Sequence, residues 1–245
     1  MSQDIATAYL KALCKSPDRK ITVQLIAKDL GIALDAQSFV GRGGPPWMND
    51  REYVNFYAAP KVGNTWLMAH HDVVHPESDN ANDNSASVLN ALLFKHAHPD
   101  VGIAITDGEE PPSFGAGAQH FCAMYGDSDP TVINLELTGK GGWYSVGVSR
   151  DSSQLFRKLV DLGLPAYGVP FNDASILQER GINSTCLFTC TIPYAKVLDV
   201  KLLGNMHSMS DSIDTVSVDD MEDFRNGLYS MLEKAGLLTS STPQI

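Results

Sequence analysis

The acids Asp107-Gly108-Glu109-Glu110 follow directly on the apolar run VGIAIT and are stopped by Pro111 and Pro112. Adjacent carboxylates repel, and an ionised acid beside a core costs several kcal/mol unless a cation compensates it. A surface turn would account for the pair without further chemistry. A metal ion accounts for it if the chain supplies other ligands, and it does. His70-His71-Asp72 ends the run NTWLMA, and Asn82-Asp83-Asn84 precedes a helical segment. Glu136 ends TVINLE, and His207 comes late in the chain with Asp211 four residues beyond it. Mixed imidazole and carboxylate donors suit zinc, with manganese or cobalt as substitutes.

Each fragment also has a plainer reading. Asp83 before a helix is ordinarily an N-cap, and a lone loop histidine such as His207 is ordinarily just solvated. Glu136 in an apolar strand is harder to dismiss, because unpaired buried carboxylates are rare. What joins the fragments is the order of the elements that carry them. Helical periodicity over 3–14 and 20–31 and a Gly/Pro loop over 39–50 lead into alternating segments. Strands are expected at EYVNFYAA, NTWLMAHHD, VGIAIT, TVINLEL, WYSVGVS and STCLFTC. Helices are expected at SASVLNALLFKHA, GAQHFCAMYG, SSQLFRKLVDLG, ASILQERG and DDMEDFRNGLYSMLEKAGLL. Such alternation predicts βαβ units: an α/β protein, a three-layer α/β/α sandwich with a mostly parallel mixed sheet. In these sheets ligands bind beyond the carboxyl ends of the strands, and the acids and imidazoles recur there.

This ordered series resembles the co-catalytic zinc aminopeptidases, whose superfamily includes glutamate carboxypeptidases and glutaminyl cyclases. The resemblance spans roughly residues 64–236. It implies the zinc-exopeptidase fold and two zinc ions per chain. His70 and Glu136 would hold one zinc, Glu110 and His207 the other, with Asp83 bridging them. It further implies that Asp72 orients His70, that Glu109 is the general base, and that Asp211 supports the His207 side. A cis Asp83–Asn84 peptide belongs to the same pattern. The chain departs from the family at Pro112, at Ser85-Ala86-Ser87, and at Phe171-Asn172-Asp173-Ala174, which stands where a Ser-Asp-His element is usual.

Length and composition set the outer bounds. The 245 residues suit a single catalytic domain over 1–245. About 70 residues between Glu136 and His207 are too few for the remaining sheet and an inserted dimerisation domain of ~100 residues. That weighs against a carboxypeptidase-like arrangement. A net charge of -11 argues against nucleic acid and anionic membranes as partners. No secretory signal or membrane span is evident, and Cys14, Cys122, Cys186 and Cys190 lack a disulfide-framework spacing. A cytoplasmic protein with reduced thiols is expected. GKGG at 139–142 lacks the spacing of a phosphate loop. The expected activity is hydrolysis of a peptide or small amide substrate, as an aminopeptidase. A glutaminyl-cyclase-like or deacylase activity is the alternative on the same metals. A catalytically idle binding module is the alternative of another class, disfavoured because all the ligand positions and the base carry competent residues.

Overall fold

The computed structural model describes residues 2–41, 51–148, 153–168, 171–190 and 205–238. Eight strands form one mixed sheet: β1 (Asp35–Val40), β2 (Glu52–Ala58), β3 (Thr65–His70), β4 (Gly102–Thr106), β5 (Thr131–Glu136), β6 (Trp143–Val148), β7 (Ala166–Gly168) and β8 (Asn183–Cys190). Their order is β1-β2-β4-β3-β5-β8-β6-β7. The β3–β4, β3–β5, β5–β8 and β6–β7 pairs are parallel. The β1–β2, β2–β4 and β6–β8 pairs are antiparallel. The helices are α1 (Gln3–Cys14), α2 (Arg19–Asp29), α3 (Ala86–Ala97), α4 (Ala116–Tyr125), α5 (Gln154–Asp161), α6 (Asp173–Glu179) and α7 (Val218–Lys234).

The central strands read as unbroken apolar runs because both of their faces are covered. In β3, Leu67 and Ala69 join a large core shared with α1, α2, α3, α5 and α7. Trp66 and Met68 alternate with them into a second core with Ala118 and Phe121 of α4 and Leu177 of α6. In β5, Ile133 and Leu135 belong to the first core, and Val132 to the second. His70 and Glu136 keep the parity of Met68 and Val132, so both emerge on the α4/α6 side of the sheet.

The chain leaves β3 through α3 to pair with β4, then crosses through α4 to pair with β3 on its other side as β5. That reversal is a topological switch point, where the carboxyl ends of adjacent parallel strands open a crevice. His70, Asp107 and Glu136 stand at or just beyond the ends of these three strands.

Two strands escaped the sequence reading. β1 alternates between exposed and half-exposed residues, so it carries little hydrophobic signal; its pairing with β2 defines it. It takes in Phe39 and Val40 of the expected 39–50 loop, and residues 42–50 lie outside the described residues. β7 has three residues, too few for any periodicity. Among the described residues no helix is long and apolar enough to cross a membrane. Among the described residues no disulfide joins the cysteines, and Cys14, Cys186 and Cys190 are buried.

Gly117 sets how closely α4 approaches the loop after β4. A Cβ there would lie 2.5 Å from the Asp107 carbonyl oxygen and 2.8 Å from Asn55 Oδ1. Asn55 ties the same two places together, accepting from the Asp107 N–H and donating to the Gly117 carbonyl, both at 2.9 Å. Gly117→Ala should therefore destabilise the protein by ~1–3 kcal/mol through overpacking against backbone. A lower urea midpoint with an unchanged slope is the expected result.

Candidate metal centre

Two buried loops carry the acids. After β4, Gly108 (φ 76°) turns the chain, and its carbonyl accepts from the N–H groups of Gly115 and Ala116 at 2.8 and 2.9 Å. The Asp72 carboxylate accepts from the Glu109 and Glu110 N–H groups at 3.2 and 2.9 Å. In the loop before α3, the Asp211 carboxylate accepts in the same manner from Asn82 and Asp83, at 2.9 and 3.0 Å. Each clamp converts a buried charge into two charge-assisted hydrogen bonds and holds the backbone beside a neighbouring site acid. The expectation for Asp211 is thereby amended. It grips the Asp83 loop, while its own N–H bonds to the Ser208 carbonyl at 3.1 Å.

Asp83 lies between two imidazoles. Its Oδ1 is 3.3 Å from His70 Nε2, and its Oδ2 is 3.2 Å from His207 Nε2. His70 Nε2 also faces Glu136 Oε2 at 3.4 Å, and His207 Nε2 faces Glu110 Oε1 at 3.1 Å. On its far side His70 Nδ1 lies 3.2 Å from the Asp72 carbonyl and 3.5 Å from the Asp72 carboxylate. Asn84 and Asn134 hold Glu136 by side-chain amides at 2.8 and 2.9 Å. The plain N-cap reading of Asp83 does not apply: Asp83 and Asn84 have non-helical torsions and Ser85 occupies the N-cap of α3. The Asp83–Asn84 peptide is cis, as the family pattern implies.

All five expected ligands thus meet. His70, Asp83 and Glu110 each offer a donor atom within 4.8 Å of the others, and Glu136 and His207 extend the group at its two ends. The donors are nitrogen and carboxylate oxygen, an assortment that fits zinc.

The electrostatics of this cleft call for cations. Burial disfavours a charged His70, but the Glu136 charge and hydrogen bonds to Asp72, Asp83 and Glu136 lift the imidazole well above its ordinary range. Hydrogen bonds to Asp83 and Glu110 raise His207 to about 10. Asp83 is held down by its two imidazoles despite its burial. Glu109 is raised well above the usual carboxylate range by burial, with the charges of Glu136, Asp173 and Glu110 adding to the effect.

Asp173 is a site acid that sequence reasoning left unused. It is fully buried at the start of α6, its Oδ2 accepts from Thr106 Oγ1 at 2.6 Å, and its Oδ1 has no hydrogen-bond partner. Burial raises it to about 7. Its only sequence signal was its place in Phe171-Asn172-Asp173-Ala174. Three other histidines are engaged elsewhere: His71 Nε2 meets the Val54 carbonyl at 2.9 Å, His96 Nδ1 the Leu30 carbonyl at 2.7 Å, and His98 stacks on Tyr229. The glycine-rich turn after β5 is engaged in packing, with Gly139 N–H donating to Asn82 and Gly141 N–H to Asp220.

No protein-family model and no curated protein matches the sequence. Solved structures do match its fold. A Zn-dependent exopeptidase from Parabacteroides distasonis superposes with a TM-score of 0.68 at 16% identity, over 96% of this chain and 98% of that one. Porphyromonas gingivalis glutaminyl cyclase gives 0.70 at 15% identity, over 95% and 98%. The Legionella pneumophila LapA aminopeptidase gives 0.67 at 15% identity, over 98% and 72%. The chain therefore has the zinc-exopeptidase fold, shared by aminopeptidases and glutaminyl cyclases, in agreement with the motif resemblance.

The raised His207 predicts a pH dependence for the chelator-treated protein. A native state that binds the proton more tightly than the unfolded chain gains stability that is complete below the unfolded value of ~6.5. That gain is lost as pH rises through about 10. Between pH 7 and 10 the melting temperature should fall, and His207→Gln should flatten the fall. Equal slopes for the two proteins would mean that the imidazole is not held by Asp83 and Glu110.

Proposed function

With the zinc-exopeptidase fold as premise, we propose that this chain is a two-zinc aminopeptidase, a hydrolase that acts as a single domain over 1–245. The observation carrying this reading is Asp83, whose two oxygens face two imidazoles that each have a further acid of their own. His70, Asp83 and Glu136 would hold one zinc, and Asp83, Glu110 and His207 the other. Two such ions, when bound, would supply Lewis acidity toward a scissile carbonyl and lower the pKa of water there. The chain's own contribution is to hold these donors and to move protons. Glu110 Oε1 faces His207 Nε2, so Glu110 would serve as ligand and the neighbouring Glu109 as the acid that faces the substrate. Its raised proton affinity suits a base that takes the proton of the attacking water and returns it to the leaving amine. Asp72 fixes both acids through their N–H groups and backs His70. The surrounding carboxylates favour a substrate with a free, cationic amine over a blocked one, and the partner is a peptide or small amide in the cytoplasm.

A glutaminyl-cyclase-like activity is the second reading. It is favoured by the three-residue donor group, His70, Asp83 and Glu110, which suffices for one ion, while two asparagine amides already engage Glu136.

Reconstituted protein should take up two equivalents of zinc by elemental analysis, and Asp83→Ala should weaken binding of both. It should cleave free amino-terminal peptides much faster than their acetylated forms. One equivalent, with cyclisation of amino-terminal glutamine, would establish the second reading instead. No zinc uptake would sink both.

The two adjacent acids should separate cleanly on mutation. Glu109→Gln should keep its zinc while kcat falls at least ~100-fold. Glu110→Gln should lose zinc affinity and regain part of its activity in excess metal. The zinc-dependent rise in melting temperature should survive in the first variant and shrink in the second. The opposite pattern would exchange their roles.

A further inference from the structure

Arg19, at the start of α2, belongs to a helical pair that contributes none of the expected ligands. Its guanidinium nevertheless reaches across to both segments that flank them. Nη1 donates to the His71 carbonyl at 3.4 Å, and Nη2 to the Asp79 and Asn80 carbonyls at 3.0 and 3.3 Å and to the Ser85 hydroxyl. His71 adjoins His70, and Asn80 and Ser85 bracket Asp83. Asn80 adopts a left-handed backbone (φ 45°), and its carbonyl also accepts from the Ser85 N–H at 3.1 Å and the Ser85 hydroxyl at 2.7 Å. The same helical pair supplies Lys15, which pairs with Asp79, and Asp79 in turn accepts from the Ile213 N–H at 3.0 Å.

We propose that Arg19 is a positioning residue of the metal centre, pinning the backbone on either side of Asp83 and behind His70 so that the loop is ordered before any ion arrives. The planar fork suits this task. Several donors diverge from one rigid group, so one side chain can hold carbonyls from separate loop segments. Its permanent charge also interacts favourably with those of Asp72, Asp83 and Asp211. An ion that meets a preformed donor set does not have to order the loop on binding.

The ion arm of the test rests on the zinc reading above, and the chelator arm does not. In chelator, amide hydrogen exchange over residues 78–85 should be slow in the wild-type chain and clearly faster in Arg19→Met. Zinc affinity, measured by competition with a chromophoric chelator, should fall by about tenfold or more in that variant. Arg19→Lys, which keeps the charge but not the fork, should fall between the two. It decides the matter alone if Arg19→Met does not fold. Leu159→Ala, a core truncation in α5, which packs on β6 and β8 rather than on the Asp83 loop, supplies the control for general loosening and should leave zinc affinity within about threefold of wild type, because distant sites act nearly independently. Wild-type exchange and affinity in the Arg19 variants would overturn the proposal, as would losses no greater than those of Leu159→Ala. If the wild-type chain binds no zinc, the metal reading falls, and the exchange rates alone judge the clamp.

Discussion

Mutual repulsion among acids is the constraint around which this structure is arranged. Asp83, Glu109, Glu110, Glu136, Asp173 and Asp211 are buried together, with Asp72 beside them at 12% side-chain exposure. Away from bulk water such charges interact strongly and none is well solvated. The protein answers with three kinds of partner. Imidazoles stand between acids, backbone N–H pairs are gripped by acids, and one guanidinium faces the group from the N-terminal helices. Asp173 keeps an unpartnered oxygen, and burial raises it to about 7.

The two carboxylate clamps show how the fold converts this difficulty into rigidity. Asp72 and Asp211 lie far apart in the chain, yet each holds two consecutive N–H groups next to a site acid. Those groups belong to loops, which elsewhere would be the least ordered parts of a molecule. Here they are tied to the ends of β3 and β4 and to the segment that carries His207. Precise placement of ligands depends on such support, since a donor that can drift binds its ion weakly.

The sheet makes the gathering possible. Pairing β3 between β4 and β5 brings three strand ends side by side, and strand parity sends His70 and Glu136 to the same face. Aminopeptidases and glutaminyl cyclases share this framework, so the framework alone does not choose between the chemistries.

Much of this was legible in the residues themselves. The alternation of apolar runs with helical patterns specified an α/β sheet, because strands covered on both faces need no polar alternation. The acids and imidazoles at the strand ends marked the site, since unpaired charges beside apolar runs are costly enough to need a reason. What the chain order did not disclose was how these groups are supported. The polar edge strand β1 and the three-residue β7 exist through pairing rather than pattern. Asp173 stood in a departed motif, Asp211 turned to the Asp83 loop, and Arg19 lay far from every ligand in sequence. Hydrogen bonds to backbone carbonyls and N–H groups leave no residue-type signature on the partner side, because every residue carries the same backbone. Residue identities therefore determined which chemistry is possible, and tertiary contacts decided which groups hold it in place.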